Sequence, residues 1–293
     1  MVSDNNSSDD TAATIKEYTS IDARVEYHSC PHGGVPSTEN FNRVFRLARE
    51  EFFMWASHNM LWDRAMLRQC VTVFEKNPKA VLVSPQCNIV DGQTGRSMRV
   101  DLSIDTQRLD SASRVSRYLT SDLSTNTIFY GLMRRKFASE FPLRIIFGAD
   151  HVFIAELSFT GEFVTIPEVL MTKHTGGTSQ TWTTIAEANR ITNRWQKIFP
   201  WTAREYEMQK MILFRTPINV RKKLSLSAIS FLAYLKWTKL YRILKALSMD
   251  VEHHILPIVF RYPKPFGTGT PIVLPKWLAR FGTISDRPPN NNN

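Results

Sequence analysis

The sequence has few of the features that stabilise small secreted proteins or anchor a chain in a membrane. Its three cysteines, Cys30, Cys70 and Cys87, show neither even pairing nor C-x-x-C spacing. This argues against a disulfide framework or a zinc ribbon and favours a reducing compartment such as the cytoplasm. The first thirty residues show no apolar h-region behind a positive start, so they do not read as a secretory signal. The longest uncharged apolar-rich run, residues 224–235, has 12 residues, whereas a bilayer core needs about 20.

The composition is that of a folded protein with an uneven distribution of charge. Of 293 residues, 43% are hydrophobic and 22% are charged, which excludes wholesale disorder. The formal net charge is +10. From Met208 to the end the sequence contains fourteen Lys or Arg and three acidic residues, and the preceding part is nearly neutral. This asymmetry predicts a catalytic or binding body followed by a tail that meets an anionic surface.

Hydrophobic periodicity predicts alternating helices and strands in the first half of the chain. Apolar residues recur at i, i+3, i+4 and i+7 from Phe41, behind a possible cap at Thr38, and again from Leu67. Short β-rich runs lie between and around them. The predicted strands begin near Val25, Phe52 and Ala80. Alternation of this kind is typical of an α/β fold with a mostly parallel sheet.

Five segments in order resemble the family 2 glycosyltransferases of the GT-A type, which use nucleotide-activated sugars. They are SDNNSSDDT at 3–11, NFN at 40–42, EFFMWASHNMLW at 51–62, FGADHVFIAEL at 147–157 and IPEVL at 166–170. No single segment is decisive, but their order and spacing are fairly specific over about residues 2 to 180. The resemblance implies a GT-A-like, Rossmann-type sheet in a domain at 1–185. Residues 186–293 would form a helical, basic C-terminal extension.

The resemblance places the donor nucleotide near Asp4 and Asn42. Ligands gather at the carboxyl edge of open α/β sheets, where Asp4 would end a strand. Without the resemblance, the Asp, Asn and Ser run is explained more simply as turn and cap chemistry for the following helix.

The sequence differs from the family at the position of the metal ligands. Relatives carry paired acidic residues after the strand that starts at Phe52, and these hold a divalent cation against the donor diphosphate. Here Asn59 and Met60 stand instead. Because Mg²⁺ and Mn²⁺ prefer charged oxygen ligands, the sequence predicts a cation held weakly if at all. Asp63 is a possible substitute ligand, or simply a first-turn residue of the next helix.

Asp150 occupies the position where the family has its catalytic base. In an inverting transfer this carboxylate accepts the proton of the acceptor hydroxyl. A structural carboxylate at the start of a helix is the alternative. Lys173 and His174 resemble the basic segment that closes over the donor diphosphate, and the alternative is an exposed loop with incidental charges. Glu156 points away from Asp150 on the predicted helix and is predicted to be structural.

Family members have a first strand, its helix and most of a second strand before the segment at 3–11. We therefore expect an N-terminally truncated domain, with the true start upstream, strands supplied by a partner, or a degenerate remnant. The missing unit would be about 30 to 40 residues, as in a strand-helix-strand start.

The C-terminal part contains a predicted basic amphipathic helix. Leu240, Ile243, Leu244 and Leu247 form one stripe, and basic residues fall on the other side. This helix could lie on an anionic membrane leaflet, which suggests a protein peripheral to the inner face of the membrane, or it could pack on its own body. Charge alone does not indicate nucleic-acid binding, since no recognised motif accompanies it.

The sequence thus predicts a transferase that moves a sugar from a nucleoside diphosphate donor to a glycan or lipid-linked acceptor. The alternative is a non-catalytic GT-A-like remnant that binds a membrane or a protein.

Overall fold

A computed structural model describes residues 1–30, 33–101, 104–121, 126–175 and 182–238. Strands and helices alternate through the first half, and helices follow one another after residue 182. The strands are β1 (Val2–Asp4), β2 (Tyr27–Ser29), β3 (Phe52–Phe53), β4 (Met60–Trp62), β5 (Ala80–Val90), β6 (Ser97–Asp101), β7 (Leu132–Arg134) and β8 (Glu162–His174). The helices are α1 (Thr11–Ile21), α2 (Ser37–Leu47), α3 (Met66–Lys76), α4 (Ser111–Thr120), α5 (Arg135–Ala138), α6 (Ala149–Thr160), α7 (Trp182–Ala188), α8 (Arg194–Ile198), α9 (Pro200–Lys210) and α10 (Val220–Trp237). A 3-10 helix (Thr127–Tyr130) precedes β7, and a π-helical turn (Met211–Arg215) follows α9.

The α/β class is confirmed, and the strand pairing is more mixed than the sequence indicated. Six strands form one sheet in the order β3-β7-β5-β8-β4, with β6 also paired to β5. The strands β1 and β2 form a separate parallel pair. Within the larger sheet only the long β5–β8 ladder is parallel, and the other four pairings are antiparallel. One reason is the tight turn at Asp91, whose carbonyl accepts from the Gly95 N–H, because strands joined by a short turn must run antiparallel.

The predicted amphipathic helices form, with one difference at a helix start. The helix α3 buries Met66, Cys70 and Phe74, which are four residues apart and share one face. In α2 the residue predicted as a cap, Thr38, lies inside the helix. Its N–H and hydroxyl both donate to Oδ1 of Asn189, at 2.8 and 2.6 Å. The side chain that completes this end of α2 therefore comes from 151 residues further along the chain.

Strand β8 merges two short runs that the sequence separates. Pro85 of β5 pairs with Ile166, and the next residue, Gln86, pairs with Val169. Pro167 and Glu168 therefore bulge out of the ladder. A proline without an N–H is tolerated in a strand at such a position.

Two hydrophobic clusters hold the layers together. One lies between α3 and the β5–β8 ladder. The other joins α4 and α6 to the C-terminal helices, and it includes Phe153, Met208, Ile212 and Leu226. The segment after residue 182 therefore shares a core with the preceding part, and the predicted division at residue 185 stays a prediction.

The predicted basic helix at 240–247 lies outside the described residues. Among the helices that are described, none combines the length and the apolar character needed to cross a membrane. All three cysteines are buried, and burial raises the pKa of the Cys70 thiol to about 12.

Candidate active site

Asp150 lies in the first turn of α6, where a glycine sets the direction of the chain. Gly148 has a φ of +66°, a conformation that L side chains rarely adopt. A Cβ atom at this position would also come within 2.7 Å of Cδ of Arg204. Two independent constraints therefore require glycine two residues before the predicted base.

The carboxylate of Asp150 is held by Asn126. The Asn126 amide Nδ2 donates to Oδ2 of Asp150 at 2.7 Å, and its Oδ1 accepts from the hydroxyl of Tyr118 at 3.1 Å. Because the Tyr118 hydroxyl donates to Oδ1, the amide NH₂ must face Asp150. Asn126 is 5% exposed and has a φ of 44°, in the left-handed region that asparagine tolerates better than most residues. Tyr118 is fully buried, which raises the pKa of its phenol.

The end of β8 brings Lys173 and His174 beside β4 and beside Asn59, the predicted metal position that precedes it. The His174 N–H donates to the backbone oxygen of Asn59 at 2.8 Å. The Asn59 amide Nδ2 donates to the His174 carbonyl at 3.0 Å, and its Oδ1 accepts from the Ser57 hydroxyl at 2.7 Å. The segments predicted to hold the metal and the diphosphate are therefore neighbours.

The donor set at Asn59 does not fit a divalent cation. Both ends of its amide already bind protein groups, and Met60, 3% exposed, offers only a thioether. Within the described ranges no group of three or more His, Cys, Asp or Glu side chains could hold a metal ion. Mg²⁺ and Mn²⁺ favour carboxylate oxygens, which these residues lack.

Tyr130 contacts both Lys173 of β8 and Ser57, which precedes β4. Its ring centroid lies 5.4 Å from Nζ of Lys173, and its hydroxyl is hydrogen-bonded to Ser57. Burial, reinforced by the negative charge of Asp150, raises the pKa of Tyr130 to about 12. The phenol is therefore neutral at physiological pH and can serve as a hydrogen-bond donor.

His151 follows Asp150 in the chain, and opposing effects act on its pKa. Burial lowers the pKa of His151, the charge of Asp150 opposes that shift, and the positive charges of Arg204 and Lys173 add to it. The net direction is downward from 6.5, so the imidazole is mostly neutral at pH 7.

Asp4 is bound within its own turn. Its carboxylate accepts from the Ser7 N–H at 2.9 Å and from the Tyr27 hydroxyl at 3.1 Å. Hydrogen bonds from Ser7 lower the pKa of Asp4, with Tyr27 adding to the effect. These contacts are the turn chemistry that the sequence offered as an alternative. They do not test the predicted contact with a donor base.

Asn42 reaches the segment that leads to Asp150. Its amide donates to the Leu143 carbonyl and accepts from the Leu143 N–H, each at 2.8 Å. Asn42 also lines a cavity of about 160 Å³ with mostly apolar walls, which Asp4 and Asp150 do not line. Glu156, one and a half turns after Asp150, is 3% exposed and pairs with Arg144 at 2.5 Å, as expected of a structural carboxylate.

Sequence reasoning missed the residues that surround the predicted base. These are Tyr118, Asn126, Tyr130 and Arg204. They come from α4, the loop after it, the 3-10 helix and α9. No spacing rule links them, because only tertiary packing brings those elements to the start of α6.

The first 141 residues match a known family, and most of the chain resembles solved structures in its fold. Residues 1–141 match the family described as glycosyl transferase family 2. S. aureus TarS 1–349 in complex with UDP-GlcNAc has a TM-score of 0.59 and 9% identity, covering 87% of this chain and 66% of that chain. The complex of the same protein with UDP has a TM-score of 0.56 and 10% identity, covering 87% of this chain and 65% of that chain. A comparison with curated protein sequences found no match.

These structural similarities concern the fold. A longer S. aureus TarS structure gives a TM-score of 0.55 at 11% identity, covering 80% of this chain and 37% of that chain. This chain thus spans at most about two thirds of the length of these TarS structures. The shared fold is the mixed α/β, curled-sheet fold of GT-A glycosyltransferases.

Proposed function

Because residues 1–141 match glycosyl transferase family 2, we propose that this protein transfers a sugar from a nucleoside diphosphate donor to a glycan or lipid-linked acceptor. The observation that carries the proposal is the carboxylate of Asp150, fixed by Asn126 within a cluster that contains Lys173 and His174. Support for a nucleotide donor comes from the fold, which resembles TarS structures in complex with UDP and UDP-GlcNAc.

In the proposed reaction Asp150 is the general base of an inverting displacement. The acceptor hydroxyl gives its proton to the carboxylate as its oxygen bonds to the anomeric carbon. The bond between that carbon and the diphosphate oxygen breaks, and the electron pair leaves with the nucleoside diphosphate. Asn126 keeps the carboxylate in one orientation, which favours proton transfer along a fixed direction.

The donor side of the proposal uses the residues predicted from the sequence. Asp4 and Asn42 would contact the donor nucleotide. Lys173 and His174 would face the diphosphate, and their position beside Tyr130 and Asn59 supports this arrangement.

We propose that transfer depends little on Mg²⁺ or Mn²⁺, since Asn59 and Met60 are poor ligands for either ion. Activity measured with EDTA should stay within about twofold of activity with added Mn²⁺, which corresponds to a barrier change below about 0.5 kcal/mol. A return from background to full activity on adding Mn²⁺ would show that another group in the chain holds the ion.

The test of the reaction is the substitution Asp150→Asn. Purified protein would be titrated with UDP-, GDP- and dTDP-sugars, and transfer would be measured by product release. The amide cannot accept the proton, so we expect turnover to fall by at least about 10²-fold, while donor affinity and the melting temperature change little. Asp22→Asn, an exposed aspartate paired with Arg24, is the matched control. Unchanged turnover in Asp150→Asn would contradict the assignment of the base.

A second function is favoured by the occupied amide of Asn59. A GT-A-like protein whose Asn59 position does not suit a metal ion could act as a binding module for a membrane or a protein. A cellular glycan phenotype that persists in Asp150→Asn would support this role over catalysis.

An anionic membrane surface is the partner we propose for α10. Val220, Leu224 and Phe231 are 70%, 60% and 50% exposed, and at 100° per residue they fall within about 40° of one another. Arg221 borders this apolar stripe. Vesicles containing phosphatidylserine should sediment the protein, and replacing Leu224 and Phe231 by Gln should abolish this. Leu67→Gln, a change at an exposed leucine on α3, should have no effect.

A further inference from the structure

Arg204 of α9 is a buried cation with an unmet hydrogen-bonding requirement. The residue is 6% exposed, and its Nε has no hydrogen-bond partner in the part of the chain that the structure describes. An unpaired polar group of this kind costs free energy in the folded state. An unpartnered buried donor beside the candidate base therefore requires an explanation.

The position of Arg204 is fixed by aromatic packing at the start of α6. Its guanidinium carbon lies 4.9 Å from the centroid of the Trp201 ring. Trp201 packs edge-on against Phe147, with centroids 4.4 Å apart, and Phe147 packs against Trp182 at 5.3 Å. The stem of Arg204 passes over Gly148, where no side chain would fit. The stem of Arg204 therefore lies against Gly148, which is two positions before Asp150 in the chain.

The neighbouring acidic groups do not neutralise this arginine by direct contact. Glu205 uses its carboxylate on the Gln209 amide and the Ser230 hydroxyl, at 2.6 to 3.0 Å. Asp150 is bound by Asn126. Both carboxylates act on Arg204 through their charge, against the burial that lowers its pKa. Lys173 contributes a second positive charge to the same surroundings, as its effect on His151 shows.

We infer that Arg204 binds a phosphate oxyanion at the start of α6, beside Asp150. A guanidinium presents planar N–H donors that match phosphate oxygens, and stacking on Trp201 holds the plane in place. The oxyanion belongs to the donor diphosphate or to a phosphate on the acceptor. In the first case Arg204 supplies positive charge that the substituted acidic pair can no longer recruit through a metal. The inference rests on the proposed function of the Asp150 site.

The test compares Arg204→Met, which removes the charge and keeps an apolar stem, with Arg204→Lys, which keeps the charge and loses the planar donors. Binding of UDP, GDP, dTDP and glycerol 3-phosphate would be measured by calorimetry for each variant. Lys76→Met, at the exposed end of α3 and at the opposite end of β5 from Lys173, controls for the loss of one positive charge. Thermal unfolding of each variant supplies the readout of folding.

We expect Arg204→Met to weaken the tightest phosphate ligand by at least about tenfold, with a smaller loss in Arg204→Lys and none in Lys76→Met. Loss of nucleotide binding identifies the donor diphosphate as the source, and selective loss of glycerol 3-phosphate binding identifies the acceptor. The melting temperature of Arg204→Met should stay equal or rise, since a buried unpaired donor is removed. Unchanged affinity for every probe, or a large fall in melting temperature, overturns the inference. Failure of the native protein to bind any nucleoside diphosphate would instead count against the proposed function.

Discussion

Asn126 and Asp150 illustrate what single residues contribute to this site. The Asp150 carboxylate lies in the first turn of α6, where its role could be limited to stabilising the helix. The amide of Asn126 also binds this carboxylate, and Asn126 adopts a left-handed backbone conformation and accepts a hydrogen bond from the buried Tyr118. Local strain of this kind persists where surrounding contacts determine the conformation.

Replacing Asn126 should lower turnover through misplacement of the base. Asn126→Gly removes the amide and keeps the left-handed backbone accessible, whereas Asn126→Ala also disfavours that backbone conformation. We expect kcat to fall by about 10- to 100-fold in both variants with little change in donor KM, since poor alignment affects the reacting geometry. The melting temperature should fall further in Asn126→Ala than in Asn126→Gly. A glycine variant with native kcat would show that Asp150 needs no such support.

At the scale of elements, side chains that join helices decide how α6 and its neighbours pack. Asp110 is the N-cap of α4, where it accepts from the Ser113 N–H at 2.8 Å. It also accepts from Nζ of Lys222 on α10 at 2.9 Å. The Lys222 hydrogen bond is the largest cause of a pKa of Asp110 that is lowered to about 2. One carboxylate therefore serves a helix end and a contact between helices.

Substitutions at Asp110 should separate these two roles. Asp110→Ala loses both and should reduce the free energy of unfolding by about 1 kcal/mol, the usual cost of a lost cap. Asp110→Asn keeps an acceptor for the helix cap, so its free energy of unfolding should fall by less. The folded-state pKa is depressed, so the ionic contribution is present above pH 3.8 and is lost as the pH falls toward about 2. Urea unfolding from pH 2 to pH 7 would measure this, and an Asp110→Asn variant with the native acid dependence would contradict it.

At the scale of the whole molecule, the C-terminal helices complete the hydrophobic core against which α6 packs. Ile212, fully buried, belongs to the same cluster as Phe153 of α6 and Leu226 of α10. The helix that carries Asp150 therefore depends on residues more than fifty positions further along the chain. This coupling explains why Arg204, on α9, can reach the start of α6.

Ile212→Ala should destabilise the entire described structure. Removing a buried isoleucine side chain costs about 2 to 5 kcal/mol. Since the cluster spans both parts of the chain, circular dichroism and tryptophan fluorescence should report one shifted transition at the same temperature. Ile198→Ala, at an exposed isoleucine, is the matched control. Two separate transitions, of which only one shifts, would show that the residues on either side of 185 fold independently.

The sequence by itself determined the α/β class, the main helices and the identity of Asp150 as a candidate base. The class and the helices follow from local periodicity, and the candidate base follows from the resemblance of its segment to family 2 glycosyltransferases. The tertiary structure alone decided the mixed strand order, the cap of α2 by Asn189 and the grouping of Asn126, Tyr130 and Arg204 around Asp150. Periodicity records which face of an element is buried, whereas the partner of each face depends on contacts between distant residues. The chemistry of this site depends on those distant contacts.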